Sequence, residues 1–440
     1  MFRLNAVAGL LITTAPVLAQ DMVPATLVGH AAIPANTMSA PPADAPQDLW
    51  ISGKFTSRDG QRADEPGSLS QRTGLNLPFI GQPFQGISGY AYQRDADGNL
   101  YALIDNGFGS KLNSPDAMLS FVRLAADFET GSVDILDRIW LHDPDKIVPF
   151  RIAYDATETR YLTGGDFDLE GLQIVGDTVW IGEEFGPYLI SATLDGRITG
   201  LYPTVLEGAE LLSPDHPTLR VGAEAGVDYT VPRSGGYEGL ALTPSGDTLW
   251  GMLEKPLVVE GGENEGEFLR VLAFDPAAGD WTGETFKFAL TEGAVAIGDF
   301  NFIDDTRALV IERDSGQGDP SLACADGEED GCFPRPAQVK RISLIDTSQI
   351  DADGFVAKLR QIDLMDIADP DGVARLPTDG DVPAGRFTMP FVTIESVIRD
   401  GDEHIIVGND NNLPFSAGRL LASPDANEMV RLHVPELLAE

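Results

Sequence analysis

The sequence is poor in cysteine, histidine and basic residues, and each shortage removes a class of function. Only Cys324 and Cys332 occur among 440 residues, alongside five histidines. That is too few for a disulfide-dense scaffold and offers no obvious ligand set for structural zinc. The two cysteines bracket CADGEEDGC and are expected to close a small surface loop as a disulfide. Lys and Arg number 30 against 69 Asp and Glu, a net charge of −39. A surface of that sign repels nucleic acid and anionic membranes, so neither is an expected partner. Nucleophile motifs are missing as well. There is no G-x-S-x-G elbow, GFGSKLN lacks the phosphate-loop pattern, and the histidines form no HExxH. GISG at 86–89 has the wrong register, so a serine esterase would need a triad invisible at this level.

Apolar runs of the roughly 20 residues needed to span a bilayer are also missing. The first nineteen residues, MFRLNAVAGLLITTAPVLA, carry Arg3, an apolar stretch from Ala6 to Ile12 and a small-residue ending at Val17-Leu18-Ala19. Asn5, Thr13, Thr14 and Pro16 argue against an anchor, and the pattern is that of a cleaved secretory signal over residues 1–19. The expected product is an exported protein of the periplasm or the cell exterior, working as a monomer. Residues 20–47, rich in Pro and Ala, read as an irregular lead-in. Residues 48–440 read as one domain with insertions at 208–234 and 366–387.

What the chain has in abundance is one repeated phrase. DLEGLQIVGDTVWIGEE at 168–184 returns as GYEGLALTPSGDTLWGMLEK at 236–255, and variants stand at 86–106, 298–314 and 394–412. Each copy begins on a polar or acidic residue (Ser88, Glu170, Glu238, Asp299, Glu395). Alternating apolar residues follow, then a turn such as DADGN or TPSGD, then a second β-rich run. That run closes on Asp105-Asn106, Glu183-Glu184, Glu254-Lys255, Glu312-Arg313-Asp314 or Asn409-Asp410. Alternation broken by Gly, Asp and Asn turns predicts β-hairpins. Further strand-like runs, such as YLISATLDGRITGLYPTVL and FLRVLAFDPAAGDWTGETFKFAL, would complete four-stranded units, whose radial repetition is an all-β propeller. Five blades are visible, and a sixth is expected from the stretch around DLWISGKF.

In an antiparallel hairpin the start of the first strand lies beside the end of the second. If these strands are the innermost of each blade, the acids converge on one mouth of the central channel. Packed carboxylates repel one another, and a hard divalent cation such as calcium, which takes about six to eight oxygen ligands, would neutralise them. Asp105, Asn106, Glu170, Glu183, Glu254, Asp299, Glu312, Asp314, Glu395, Asn409 and Asp410 are the candidate ligands. For any single acid the plainer alternative is a turn cap or a pairing with Lys255, Arg313 or Arg94.

The phrases DNGFGSK, GGDFDLEGL, EEFGPYL, GYEGLAL, ALVIERD and IESV, in that order, make about residues 80–435 resemble the phytase-like family, described as having esterase-like activity. The resemblance implies a secreted propeller and, by analogy with calcium-dependent β-propeller phytases, hydrolysis of a phosphoester or related ester. On that reading bound calcium would acidify a water, Glu184 or Glu238 would serve as base, and Lys111, Lys255 and Arg313 would hold a small anionic ester. Two alternatives stay open: a metal-dependent lactonase or arylesterase, and a non-catalytic calcium-stabilised binding module using Phe108, Phe185 and Tyr188.

Overall fold

A computed structural model describes residues 21–56, 61–63, 67–68, 73–105, 107–217, 229–259, 261–328 and 330–440. The expected signal segment and Asn106 lie outside these residues. The described chain is a β-propeller of five four-stranded antiparallel blades. Blade one comprises Ile87–Tyr90, Leu100–Ile104, Ser120–Asp127 and Ser132–Trp140. Blade two runs through Leu169–Val175, Thr178–Glu183, Tyr188–Thr193 and Ile198–Pro203. Blade three is Tyr237–Leu242, Leu249–Leu253, Phe268–Asp275 and Asp280–Ala289. Blade four is Ala296–Phe302, Arg307–Arg313, Lys340–Ile350 and Val356–Asp363. Blade five takes Ile394–Arg399, His404–Asn409 and Asn427–His433 from the C-terminal part of the chain. Its fourth strand, Thr26–Ile33, comes from near the N-terminus.

The first strand of each blade packs against that of the next, and blade five against blade one, so the five inner strands close a ring. Being covered on both faces, they are apolar beyond simple alternation: every residue of Tyr237–Leu242 and Ala296–Phe302 is buried. The glycine that follows the acid in the repeated phrase lets blades approach. A Cβ on Gly171 would lie 2.8 Å from the backbone nitrogen of Leu240, and one on Gly239 would lie 2.7 Å from Cβ of Phe300. The apolar cores sit between blades, as where Leu169, Ile174 and Ile181 of blade two meet Leu103 and Phe121 of blade one.

Two expectations are corrected here. DLWISGKF builds no sixth blade: Gln47–Trp50 is a 3-10 turn and Ile51–Ser52 forms a two-residue ladder with Phe79–Ile80 and a bridge to Gly81. The lead-in expected at 20–47 is not irregular throughout, because Thr26–Ile33 pairs with Asn427–His433 from Thr26 opposite His433 to Ile33 opposite Asn427. A strand from the other end of the chain thus covers the edge that Asn427–His433 would otherwise leave unpaired and ties the two ends of the chain into one blade. Cys324 and Cys332 are disulfide-bonded. Among the described residues no helix is long and apolar enough to cross a membrane.

Candidate metal centre

All five inner strands are interrupted near their start by a shift of register against the second strand. Leu169 pairs with Glu183 but Gly171 with Gly182, and Tyr237 pairs with Leu253 but Gly239 with Met252. Ile297 and Asp299, Ile394 and Ser396, and Ile87 and Tyr90 bracket the same irregularity in the other blades. Such a bulge leaves one residue outside the ladder and re-aims its side chain. Glu170, Glu238 and Glu395 stand at these positions, while blades one and four have Ser88 and Gly298 there.

A second tier follows the end of each second strand. The residues after Ile104, Glu183, Leu253, Glu312 and Asn409, all paired to inner-strand starts, are Asp105, Glu184, Glu254, Arg313 and Asp410. The two tiers meet. Ligand oxygens of Asp105, Asp168 and Glu170 lie within 4.8 Å of one another, as do those of Glu170, Glu238 and Glu395 and those of Glu184, Glu238 and Glu254. Glu170 and Glu238 link the three sets into one acidic surface.

The polar contacts within this surface are few. Ser88 Oγ donates to Glu170 Oε2 at 2.5 Å and approaches Glu395 Oε2 at 3.3 Å. Arg313 Nη2 donates to Glu254 Oε1 at 3.0 Å, Glu238 Oε1 at 3.3 Å and Glu395 Oε1 at 3.5 Å. Half-buried Lys255 brings Nζ to 2.9 Å from Glu254 Oε2. Glu184 is 4% exposed, yet its Oε1 has no hydrogen-bond partner. Burial, and behind it the neighbouring carboxylates, pushes Glu170, Glu184, Glu238, Glu395 and Asp410 well above the usual carboxylate range. Burial works against the charge of Arg313, but Glu238, Glu254 and Glu395 more than offset it and hold the guanidinium firmly protonated.

A buried carboxylate oxygen without a donor is costly, and several carboxylates sharing one buried surface repel. Carboxylates and no softer ligand are what a calcium-class cation takes. The donor set therefore fits the expected ion, and these buried acidic clusters could hold a metal.

Other candidates point elsewhere, and the period of two along a strand is the reason. Glu183 precedes Glu184 and faces the other way, where the amides of Phe185, Gly186 and Tyr188 donate to it; burial outweighs them and raises it to about 7. Glu312, before Arg313, takes Lys358 at 2.7 Å, Gln361, Ser343 and Thr291. Asn409 accepts from the Glu428 amide and donates to the Ala426 carbonyl. Asp299 stands one residue past the bulge and accepts from the amides of Val397 and Phe300, with burial raising it to about 7. Asp314 accepts from the Gln338 and Val339 amides and pairs with Lys340. Lys111 donates to the Asp215 carbonyl at 2.7 Å and lies over the Phe185 ring. Phe108, Phe185 and Tyr188 are buried at 1%, 3% and 4% exposure and offer no contact surface. Asp168 was missed: it precedes the strand that carries Glu170, and only its position in DFDLEGL, one carboxylate before the repeated phrase, hinted at it.

A comparison with curated protein sequences finds no matching relative. Remote likenesses among solved structures include the Dos1 propeller (9% identity, TM-score 0.32, 93% of this chain and 95% of that one). The glutaminyl cyclase of Myxococcus xanthus (11%, 0.36, 80% and 92%) and the endo-arabinanase of Bacillus licheniformis (9%, 0.35, 79% and 93%) are others. The family model for phytase-like proteins, described as "Esterase-like activity of phytase", matches residues 82–413, a span that holds all five inner strands and both tiers of the acidic mouth. The chain belongs to the phytase-like family.

Proposed function

We propose that this protein is a metal-dependent ester hydrolase whose ion, of the calcium class, is held by the acidic mouth of the propeller. The observation that carries the reading is the unpartnered, buried Glu184 Oε1 beside Glu238 and Glu254, carboxylates brought together from two blades. Glu170, Glu184 and Glu238 would hold the ion, with Asp105, Asp168 and Asp410 at the edge of the same surface and Glu254 and Glu395 turned to Arg313. A bound calcium-class dication would neutralise these acids, bind substrate oxygens and make a water more acidic.

The chain's own residues supply the rest. Glu184 is the better base of the two expected, because its Oε1 has no hydrogen-bond partner. Glu238 is tied to Arg313 and serves to anchor. As the water oxygen bonds to the ester centre, Glu184 takes its proton; as the ester bond breaks, Glu184 returns a proton to the departing alkoxide. Lys255, partly exposed beside Glu254, donates to the carbonyls of Arg233 and Ser234, so it would meet an anionic substrate oxygen only by giving up one of these partners. The Cys324–Cys332 disulfide supports export, since such bonds persist in oxidising compartments.

A second reading, hydrolysis of a neutral ester or lactone, is favoured by the fate of the expected anion-binding cations. Arg313 is shared among three carboxylates, Lys111 is turned to Asp215 and Phe185, and Lys255 is held by Glu254 and the carbonyls of Arg233 and Ser234. The test is metal analysis of dialysed protein with turnover of phosphomonoesters, phosphodiesters, lactones and carboxylic esters, with and without calcium. Phosphoester turnover abolished by chelator supports the first reading, and lactone or carboxylic ester turnover abolished by chelator the second. Full activity in chelator, or no turnover of any ester, refutes metal-dependent hydrolysis.

A further inference from the structure

Blade four contributes to the mouth differently from the others. Its bulge position is Gly298, where a Cβ would lie 1.9 Å from the carbonyl oxygen of Ile394, so no side chain fits there. Its second-tier residue is Arg313, in the place where the other blades carry Asp105, Glu184, Glu254 and Asp410. Through that one side chain the blade supplies a positive charge to a ring of acids.

The geometry of Arg313 is unusual in one respect. A single nitrogen, Nη2, gathers oxygens of three carboxylates from two blades at 3.0, 3.3 and 3.5 Å. Its Nε is buried without a partner, so the three acids, and no pairing of the whole fork, fix where the side chain lies. Oxygens converging on one point is what a hard cation imposes, at 2.3–2.6 Å for calcium. On the other side of the mouth, no cation among the described residues forms an ion pair with Glu170 or Glu184.

We infer that Arg313 is a resident cation standing where a divalent ion would otherwise bind, so that it fixes the number and position of the metals the mouth accepts. The inference rests on the proposal that the mouth binds calcium at all. Glu254 and Glu395 already have an internal counter-charge, Glu238 is shared between the two sides, and the exchangeable ion belongs with Glu170 and Glu184. Arg313 thereby acts as a positioning residue. It holds three carboxylates in place when no metal is bound, and it confines the ion to the side where Glu184 can act as base.

Calorimetric calcium titration of chelator-stripped protein, with metal counting after gel filtration, tests this without reference to turnover. Arg313→Gln should bind one calcium ion more than the wild type, and Arg313→Lys should keep the wild-type number. Equal stoichiometry in wild type and Arg313→Gln overturns the inference. A wild type that binds no calcium overturns the underlying proposal instead. Since Arg313→Gln exposes three buried acids to one another, a second pair of variants keeps the question decidable if it fails to fold. Glu395→Gln should leave wild-type calcium affinity within about twofold, and Glu184→Gln should weaken it about tenfold or more. The reverse order, or equal losses, contradicts the assignment of sides.

Discussion

Glu428 and Glu184 are buried to almost the same degree, at 0% and 4% exposure, and the molecule treats them in opposite ways. Glu428 lies on the C-terminal strand that closes blade five. It receives Arg419 through two parallel bonds of 2.9 and 2.6 Å, and His30, from the N-terminal strand, lies 3.1 Å away. Burial alone would raise its pKa, but Arg419 and His30 hold it at about 2. Glu184 has no such partner, and burial together with Glu254, Asp168 and Glu238 drives it upward. Where a carboxylate is structural, this fold surrounds it with donors. At the mouth the acids accumulate and Glu184 Oε1 has no hydrogen-bond partner, the arrangement that the proposed ion would neutralise.

Perturbing each side of this comparison should give effects of graded size. The largest belongs to the structural pair. Arg419→Met leaves Glu428 buried beside only the imidazole of His30, and loss of one partner of a buried pair costs about 3–5 kcal/mol. Urea unfolding should detect that loss equally with calcium and with chelator. A calcium-dependent loss would mean that the closure and the mouth are coupled.

Removing the ion comes next. Calcium at 100-fold above its Kd would stabilise the folded chain by about 2.7 kcal/mol, so chelation should lower the melting temperature by a few degrees. An unchanged melting curve would count against an ion at the mouth.

The two sides also differ in the sign of their pH dependence. The mouth acids Glu170, Glu184, Glu238, Glu395 and Asp410 have raised pKa, so their contribution to stability is complete below the ordinary carboxylate range and is lost as pH rises above it, while Asp299 and Glu183, away from the mouth, lose theirs through about 7. Glu428, held at about 2, contributes above its ordinary value and loses that contribution only as pH falls towards 2. Chelated protein should therefore lose stability between about pH 4 and pH 8, and calcium should flatten this slope by screening the acids of the mouth. A slope of the same size with calcium would show that the titrating acids lie away from the ion.

The smallest effect sharpens the boundary of the site. Glu328, exposed within the disulfide loop, carries the same charge as a mouth acid. Glu328→Gln should change stability by no more than about 0.5 kcal/mol, as expected for a surface change, and should leave calcium affinity unaltered. Equal losses from Glu328→Gln and Glu184→Gln would show that calcium answers to net charge.

The repeated phrase carried most of the fold. A carboxylate and glycine before an apolar run marked the inner strands of blades two and three, and its weaker forms at 298 and 394 marked blades four and five. The site was legible to the extent that hairpin geometry applied, which brought Glu170, Glu184, Glu238, Glu254, Glu395, Asp105 and Asp410 to one end. Sequence could not choose between Glu183 and Glu184, or between Glu312 and Arg313, because facing depends on a register that one bulge shifts by a residue. Asp299 shows the same effect, since a glycine at the bulge of blade four moved its acid to the following position. Thr26–Ile33 was hidden for another reason. TLVGHAAI buries one face, Leu27, Gly29, Ala31 and Ile33, but the glycine on that face and the apolar Val28 and Ala32 on the other blur the alternation that announces a strand, and its partner lies about 400 residues away along the chain.

The central claim is that the mouth is a cation site, and its most direct test is a calorimetric calcium titration of the chelator-stripped, full-length protein at pH 7.5, repeated on Glu184→Gln. Saturable binding in the wild type, weakened about tenfold or more by neutralising the buried carboxylate of Glu184, is the predicted result. Absence of binding, or binding of equal strength in both proteins, would contradict it.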